Sequence, residues 1–294
     1  MLVAMASRSI PLTLGSACLL IAALAGCSPE EAPDGTTVTA SAGLNCTKAA
    51  LPTKTPGKLT IATDEPAYEP WFKDNKPENG EGFESAVAYA LAERLGYTRD
   101  EVTWIRVTFN NAIAPGPKAY DLDINQFSIT EERRKAVDFS PPYYDVRQAV
   151  IALKSSKIAG AKTVAELRGA KLGAQVGTTS FAIIGRGIQP TTQPQVYNSN
   201  DDAKKALQNK QIDGLVVDLP TAFYMTAAEI KDSVIVGQIP QPAGPSERFG
   251  MVLHKGSPLT PCVSTAMEAL RADGTFLALE RKWLAQVAGA PELS

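Results

Sequence analysis

Short runs of β-branched and apolar residues alternate along this chain with segments whose apolar residues recur at helical spacing, and the alternation begins twice. Residues 58–62 predict a strand, and Phe83, Ala86, Val87, Ala90, Leu91 and Leu95 then fall on one face of a helix. Strands are expected at 102–107 and 122–128. Between the latter and an extended stretch at 143–153, Thr130 has the form of an N-cap followed by acidic first-turn residues Glu131 and Glu132. A second set opens with a capping box at Thr163 and Glu166, with strands at 171–174 and 215–217 and a helix at 201–208. A strand at 249–253, a helix with Leu259, Val263, Met267 and Leu270 on its apolar face, and residues 276–287 close the chain. The pattern is α/β, and its restart predicts a second lobe.

The first residues constrain location. Arg8 precedes an apolar run at 12–25, broken only by Thr13, Gly15 and Ser16. A bilayer span needs roughly 20 apolar residues and a secretory leader about 7 to 15, so a leader peptide at 1–26 is expected. The run ends in Leu24-Ala25-Gly26-Cys27, which resembles the lipobox of bacterial lipoproteins; this implies lipidation of Cys27 and an anchor on the outer face of the cell membrane. An ordinary secretory signal that contains a cysteine is the alternative. Residues 27–43 are rich in Ser, Pro, Glu, Thr and Gly and predict a tether.

The remaining stretch is long enough for two small lobes. Lys plus Arg number 29 against 31 Asp plus Glu, so nothing in the charge points to nucleic acid. Cys18 leaves with the leader and Cys27 is the lipid site, which leaves Cys46 and Cys262. Outside the cytoplasm such a pair suggests a disulfide from the start of the folded part to a C-terminal helix, with two buried thiols as the alternative. His254, the single histidine, excludes a His-based triad or a multi-His zinc site and is expected at the surface beside a hinge. No metal or cofactor is expected, and with no GxxxxGK[ST] pattern any ATP-driven step belongs to a partner.

The segment YDLDINQFSITEERRKAVDFSPPYY, from Tyr120 to Tyr144, resembles the central motif of the polar amino-acid binding proteins of ABC importers, extracellular solute-binding family 3. TDEPAYEPWF from Thr63, GFESAVAYALAERLG from Gly82, KLGAQVGTTS from Lys171, DGLVVD from Asp213, FGMVLHKGSPL from Phe249 and DGTFLALERKWL from Asp273 extend the resemblance over nearly the whole folded part, in order. It implies a periplasmic-binding-protein-like clamp of two lobes joined by two hinge strands, near 148–153 and 248–253. Lobe 1 would be discontinuous, 44–149 plus 248–288, and lobe 2 would be 150–247. The implied partners are a polar amino acid and an ABC permease with its ATPase, the protein itself being a monomer.

An amino-acid zwitterion needs a guanidinium and free N–H donors for its carboxylate, and acidic or hydroxyl acceptors for its ammonium. The resemblance assigns Arg133 to the first task, with Thr178 and Thr179 in Gly177-Thr178-Thr179-Ser180 offering N–H groups and hydroxyls from the other lobe. A surface salt bridge to Glu131 or Glu132 is the alternative for Arg133. Asp218 and Ser128 are assigned to the ammonium; Asp218 as a plain helix N-cap is the other reading. Tyr68 and Phe109 stand where the family places rings around the ligand, and Trp71 is close enough to line the same mouth, with a plain core position as the alternative for each. Glu65 falls where relatives often carry an acid. Asn125-Gln126 departs from the small residues common at that strand edge, so Gln126 is expected to narrow the pocket or add an amide contact, favouring a polar ligand side chain. Two other functions share this fold: a sensory module reporting to a membrane receptor, and a cyclohexadienyl dehydratase-like enzyme using acids in the same cleft.

Overall fold

The computed structural model describes residues 44–241, 244–285 and 289–294. The expected leader, the Cys27 lipobox and the tether lie outside the described residues.

Two mixed sheets of five strands carry the fold among these residues. In the first, β1 (Leu59–Thr63) lies between parallel partners β2 (Val102–Arg106) and β3 (Leu122–Asp123), and β12 (Val252–His254) runs antiparallel between β3 and β4 (Val137–Phe139). Every residue of β1 is buried, as expected of a parallel strand covered on both faces. Leu59, Ile61 and Leu122 share one core with Leu91 of α1 (Phe83–Arg94), Met267 of α7 (Thr260–Ala272) and Phe276 of α8 (Thr275–Trp283). Gly82 opens α1 at φ 94°, and a Cβ there would lie 2.5 Å from the Trp71 carbonyl, so only glycine fits. Cys46 and Cys262 form a disulfide with Cα atoms 5.4 Å apart, tying the start of the folded part to α7 as expected.

The second sheet has the order β10 (Ser233–Gln238), β6 (Gln148–Leu153), β9 (Gly214–Asp218), β7 (Leu172–Gln175), β8 (Gln195–Tyr197). Its strands alternate between two cores: Val150 and Ala152 pack with Leu172 and Val216 on one face, Ala149 and Ile151 with Leu215 and Val217 on the other. Between the sheets, β5 (Tyr144–Asp145) pairs antiparallel with β11 (Arg248–Phe249) as a two-stranded ribbon. The outward and return paths of the chain therefore run side by side.

The structure departs from the sequence-based expectations at several points. The strand expected at 122–128 stops at Asp123, because Gln126 turns the backbone into the left-handed region at φ 48°. The strand expected at 249–253 divides at Gly250, where a Cβ would lie 2.8 Å from Ile129 Cδ1. His254 ends β12 opposite Val137, partly buried in the first sheet rather than beside the ribbon. Residues 289–294 return to the second sheet, where Gln238 N donates to Pro291 O at 2.7 Å, Val164 N donates to Ser294 O at 2.9 Å, and Leu293 packs with Val236 and Ile239.

Candidate ligand cleft

The cleft lies where the ends of β1, β3, β7 and β9 face one another across the two sheets. Asp64, Tyr68, Phe109, Asn125, Gln126 and Arg133 line it from the first sheet's side, and Gln175, Thr178, Thr179, Ser180, Asn200, Val217 and Asp218 from the second's. Of the residues expected here, Arg133, Asp218, Thr178, Thr179, Tyr68, Phe109 and Gln126 do line it.

Arg133 sits in α3 (Glu131–Arg134), whose N-cap Thr130 accepts from the Arg133 backbone N–H as the sequence predicts. The residue is only 9 % exposed. Nη1 donates to Ser128 O at 2.7 Å and Nη2 to Gly177 O at 2.9 Å, while the guanidinium carbon lies 5.2 Å from the Phe109 ring centroid. The surface salt bridge belongs instead to its neighbour: Arg134 Nε is 3.5 Å from Glu131 Oε1, whereas among the described residues no carboxylate oxygen lies within 4.0 Å of Arg133. Burial lowers the Arg133 pKa, opposed by the more distant charges of Glu247, Asp218 and Glu132. A guanidinium so placed retains N–H donors for an anion entering the cleft.

Opposite stands Asp218, at the end of β9 and the N-cap position of α6 (Leu219–Tyr224). Its side chain makes no capping hydrogen bond; it accepts from Gln148 Nε2 at 2.6 Å, and Gln148 Oε1 accepts from Ser180 Oγ at 2.6 Å. Burial raises the Asp218 carboxyl well above its usual range, the nearby Glu247 adding to the effect. A cationic group entering the cleft would reverse that cost by giving the buried charge a partner.

Ser128, expected to face the ammonium, is 2 % exposed. Its hydroxyl donates to Glu247 Oε1 at 2.6 Å, so in the 3.1 Å contact with Thr179 Oγ1 it is the acceptor. The Ser128–Thr179 contact joins the two sides of the cleft. Tyr68 does the same, its hydroxyl accepting from Asp201 N at 3.2 Å. Trp71 is wholly buried in the first core and lies outside the cleft lining, but its Nε1 donates to Thr221 Oγ1 of α6 at 2.9 Å, again across the two halves. Glu65 is exposed and also outside the lining.

Sequence reading passed over Asp64, Gln175, Asn200 and Val217 as site residues and named Asn125 and Ser180 only within their motifs. Asp64 Oδ2 accepts from Phe109 N at 3.0 Å, which holds the start of α2 (Phe109–Ile113) against β1; an acid directly after a buried strand was the available signal. The others lie beside expected residues, at strand ends and helix starts, where an α/β fold opens its crevice.

A cleft between two sheets, joined by a paired ribbon and holding a buried guanidinium with no salt-bridge partner among the described residues opposite a partly buried carboxylate, defines a two-lobed receptor for a small charged solute. Residues 59–286 match the bacterial extracellular solute-binding proteins, family 3, and the chain belongs to that family. It is 29 % identical over 208 residues to the ABC transporter arginine-binding protein 1 of Escherichia coli K12, a match covering 70 % of this chain and 82 % of that one. Among solved structures, an ancestral arginine-binding protein bound to glutamine is similar at a TM-score of 0.65 and 30 % identity, over 78 % of this chain and 98 % of that one. The ancestral amino acid-binding protein AncCDT-1, a precursor of cyclohexadienyl dehydratase, is similar at a TM-score of 0.63 and 29 % identity, over 77 % and 95 %.

Proposed function

We propose that this chain is the extracytoplasmic amino-acid-binding component of an ABC importer, closing its lobes, 44–149 plus 248–288 and 150–247, on a polar amino acid. The observation that carries the reading is the pairing in one cleft of Arg133, buried, and Asp218, partly buried, with neither in a salt bridge among the described residues. A zwitterion supplies the missing partner of each: carboxylate to Arg133 and the Thr178–Thr179 turn, ammonium to Asp218. Hydrogen bonds to charged groups contribute about 1.5–3 kcal/mol each, so three or four account for much of the roughly 8 kcal/mol of a micromolar complex. The names of the relatives, one for arginine and one bound to glutamine, support a ligand of this class.

The test is a thermal-shift screen of the chain from Ser28 onward against the twenty amino acids, cystine and non-amino-acid controls. A ligand that binds only the native state raises stability by about 2.7 kcal/mol at a hundredfold excess over Kd. A selective shift with one polar amino acid supports the reading; no shift with any of them overturns it. The likeness to AncCDT-1 gives an enzymatic reading its own check, turnover of prephenate or arogenate by the same preparation. Delivery to a permease and sensing by a receptor separate on whether permease and ATPase genes adjoin this one. The proposed anchor is tested by Cys27→Ala, which should release the protein from the membrane and leave ligand affinity unchanged.

A further inference from the structure

Glu84 lies in the first turn of α1 and has no exposed surface, yet its carboxylate reaches the underside of the cleft. Its Oε1 accepts from Gln126 N at 2.7 Å and from the Tyr143 hydroxyl, and its Oε2 accepts from Gln126 Nε2. Both the backbone and the side chain of Gln126, a left-handed residue lining the cleft, are thus fastened to one buried group. We propose that Glu84 is a positioning residue that fixes the polarity of the Gln126 amide, so that the site prefers a ligand side chain ending in N–H donors over one ending in a carboxylate.

Above about pH 7, where Glu84 carries its charge, its carboxylate only accepts, so the amide nitrogen of Gln126 must face it. Its oxygen is left over, and among the described residues Gln126 Oε1 accepts no hydrogen bond. A free glutamine side chain presents either end to a ligand by a half-turn of its last torsion; this one is held with its acceptor available. An amide or guanidinium meeting that oxygen gains a hydrogen bond, whereas a carboxylate meets two lone pairs and a repulsion. Discrimination against the group that leaves a polar atom unpaired is the strong form of specificity. Glu84 touches no ligand in this account and acts only through Gln126.

The inference rests on the amino-acid-binding reading, and its test separates the two. Affinities for glutamine and glutamate, which differ little in shape, are measured by calorimetry on wild type, Glu84→Gln, Gln126→Met and the double variant, with folding checked by circular dichroism. Wild type should favour glutamine. Glu84→Gln, whose amide can donate as well as accept, should lower the glutamine-to-glutamate preference at least tenfold, and the same change in the Gln126→Met background should leave that variant's ratio where it was. An unchanged ratio in folded Glu84→Gln, or an equal effect with Gln126 absent, overturns the proposal. Should Glu84→Gln not fold, the wild-type ratio decides, since tighter binding of glutamate than of glutamine overturns it. If no amino acid binds wild type, it is the clamp reading that fails, and this inference with it.

Discussion

Arg133 Nη2 donates to the Gly177 carbonyl at 2.9 Å across the cleft, so the residue expected to grip a carboxylate also ties one half of the molecule to the other. Gly177 has φ 76°, and a Cβ there would lie 2.5 Å from Asn110 Oδ1, which lets the two halves approach this closely only at a glycine. Ligand contacts made from both sides favour the closed arrangement over the open one, which is how a hinge converts binding into shape.

Arg133→Ala should therefore lower amino-acid affinity by about 100-fold or more, since at least two charge-assisted hydrogen bonds of about 1.5–3 kcal/mol each are lost. Arg133→Lys should recover little, because an ammonium lacks the planar fork that serves both the carbonyl and an incoming carboxylate. Calorimetric titration with the screened ligand checks both variants, and affinity within threefold of wild type for Arg133→Ala would remove it from the site.

Trp71→Phe isolates a contact that sequence position alone suggested was part of the mouth. Trp71 packs edge-on to Tyr144 and Phe249 of the ribbon, with ring centroids 5.6 Å away in each case, and its Nε1 hydrogen-bonds the second half at Thr221. Phenylalanine keeps most of the packing but leaves Thr221 without its donor. The net loss of one neutral hydrogen bond is about 0.5–1.5 kcal/mol, so affinity should fall about 2- to 13-fold. Small-angle scattering of the unliganded variant should show a larger radius of gyration than wild type; an unchanged radius and affinity would mean that this bond does not hold the halves together.

The alternating strands and helices were legible in the sequence because both sheets are covered on two faces, which leaves continuous runs of β-branched and apolar residues such as Leu59–Thr63 and 149–152. Thr130, Thr163 and the acids that follow them announced their turns in the same way. Within the cleft, Arg133 and Asp218 were found through motif position, whereas Glu84 was not: an acid in a first helical turn has the same sequence signature whether it faces solvent and the helix dipole or is buried beneath a loop. Trp71 and Glu65 show the converse limit. Both stand within a few residues of Tyr68, but the loop turns the tryptophan into the core and the glutamate to solvent, a choice made by packing far away in sequence.

The Cys46–Cys262 disulfide closes a loop of 216 residues, so its removal frees the unfolded chain more than a short-range link would. Cys46→Ser with Cys262→Ser should destabilise the protein by about 2–5 kcal/mol in urea unfolding. Neither cysteine lines the cleft, so the folded double variant should bind its ligand as wild type does. A midpoint matching that of wild type under oxidising conditions would contradict the stabilising role.

Buried acids set the pH dependence of the unliganded protein. Burial raises Glu84 from 4.5 to about 7, against the opposing hydrogen bonds from Tyr143 and Gln126. Burial likewise raises Asp218 and Asp123, each helped by neighbouring carboxylates. A folded state whose carboxyls hold protons that the unfolded chain has released binds more protons, so unfolding free energy falls as pH rises through that window. For Glu84 the window runs from 4.5 to about 7, and a shift of that size corresponds to on the order of 3 kcal/mol. Groups shifted the other way act at lower pH: Glu101, brought to about 2 by the hydrogen bond from Lys48, contributes stability lost only as pH falls below 4.5 toward that value. Urea midpoints should therefore be higher at pH 5 than at pH 8, and Glu84→Gln, which carries no titrating group, should reduce the difference. Greater stability at pH 8, or an undiminished slope in Glu84→Gln, would show that these carboxyls are not held protonated by their burial.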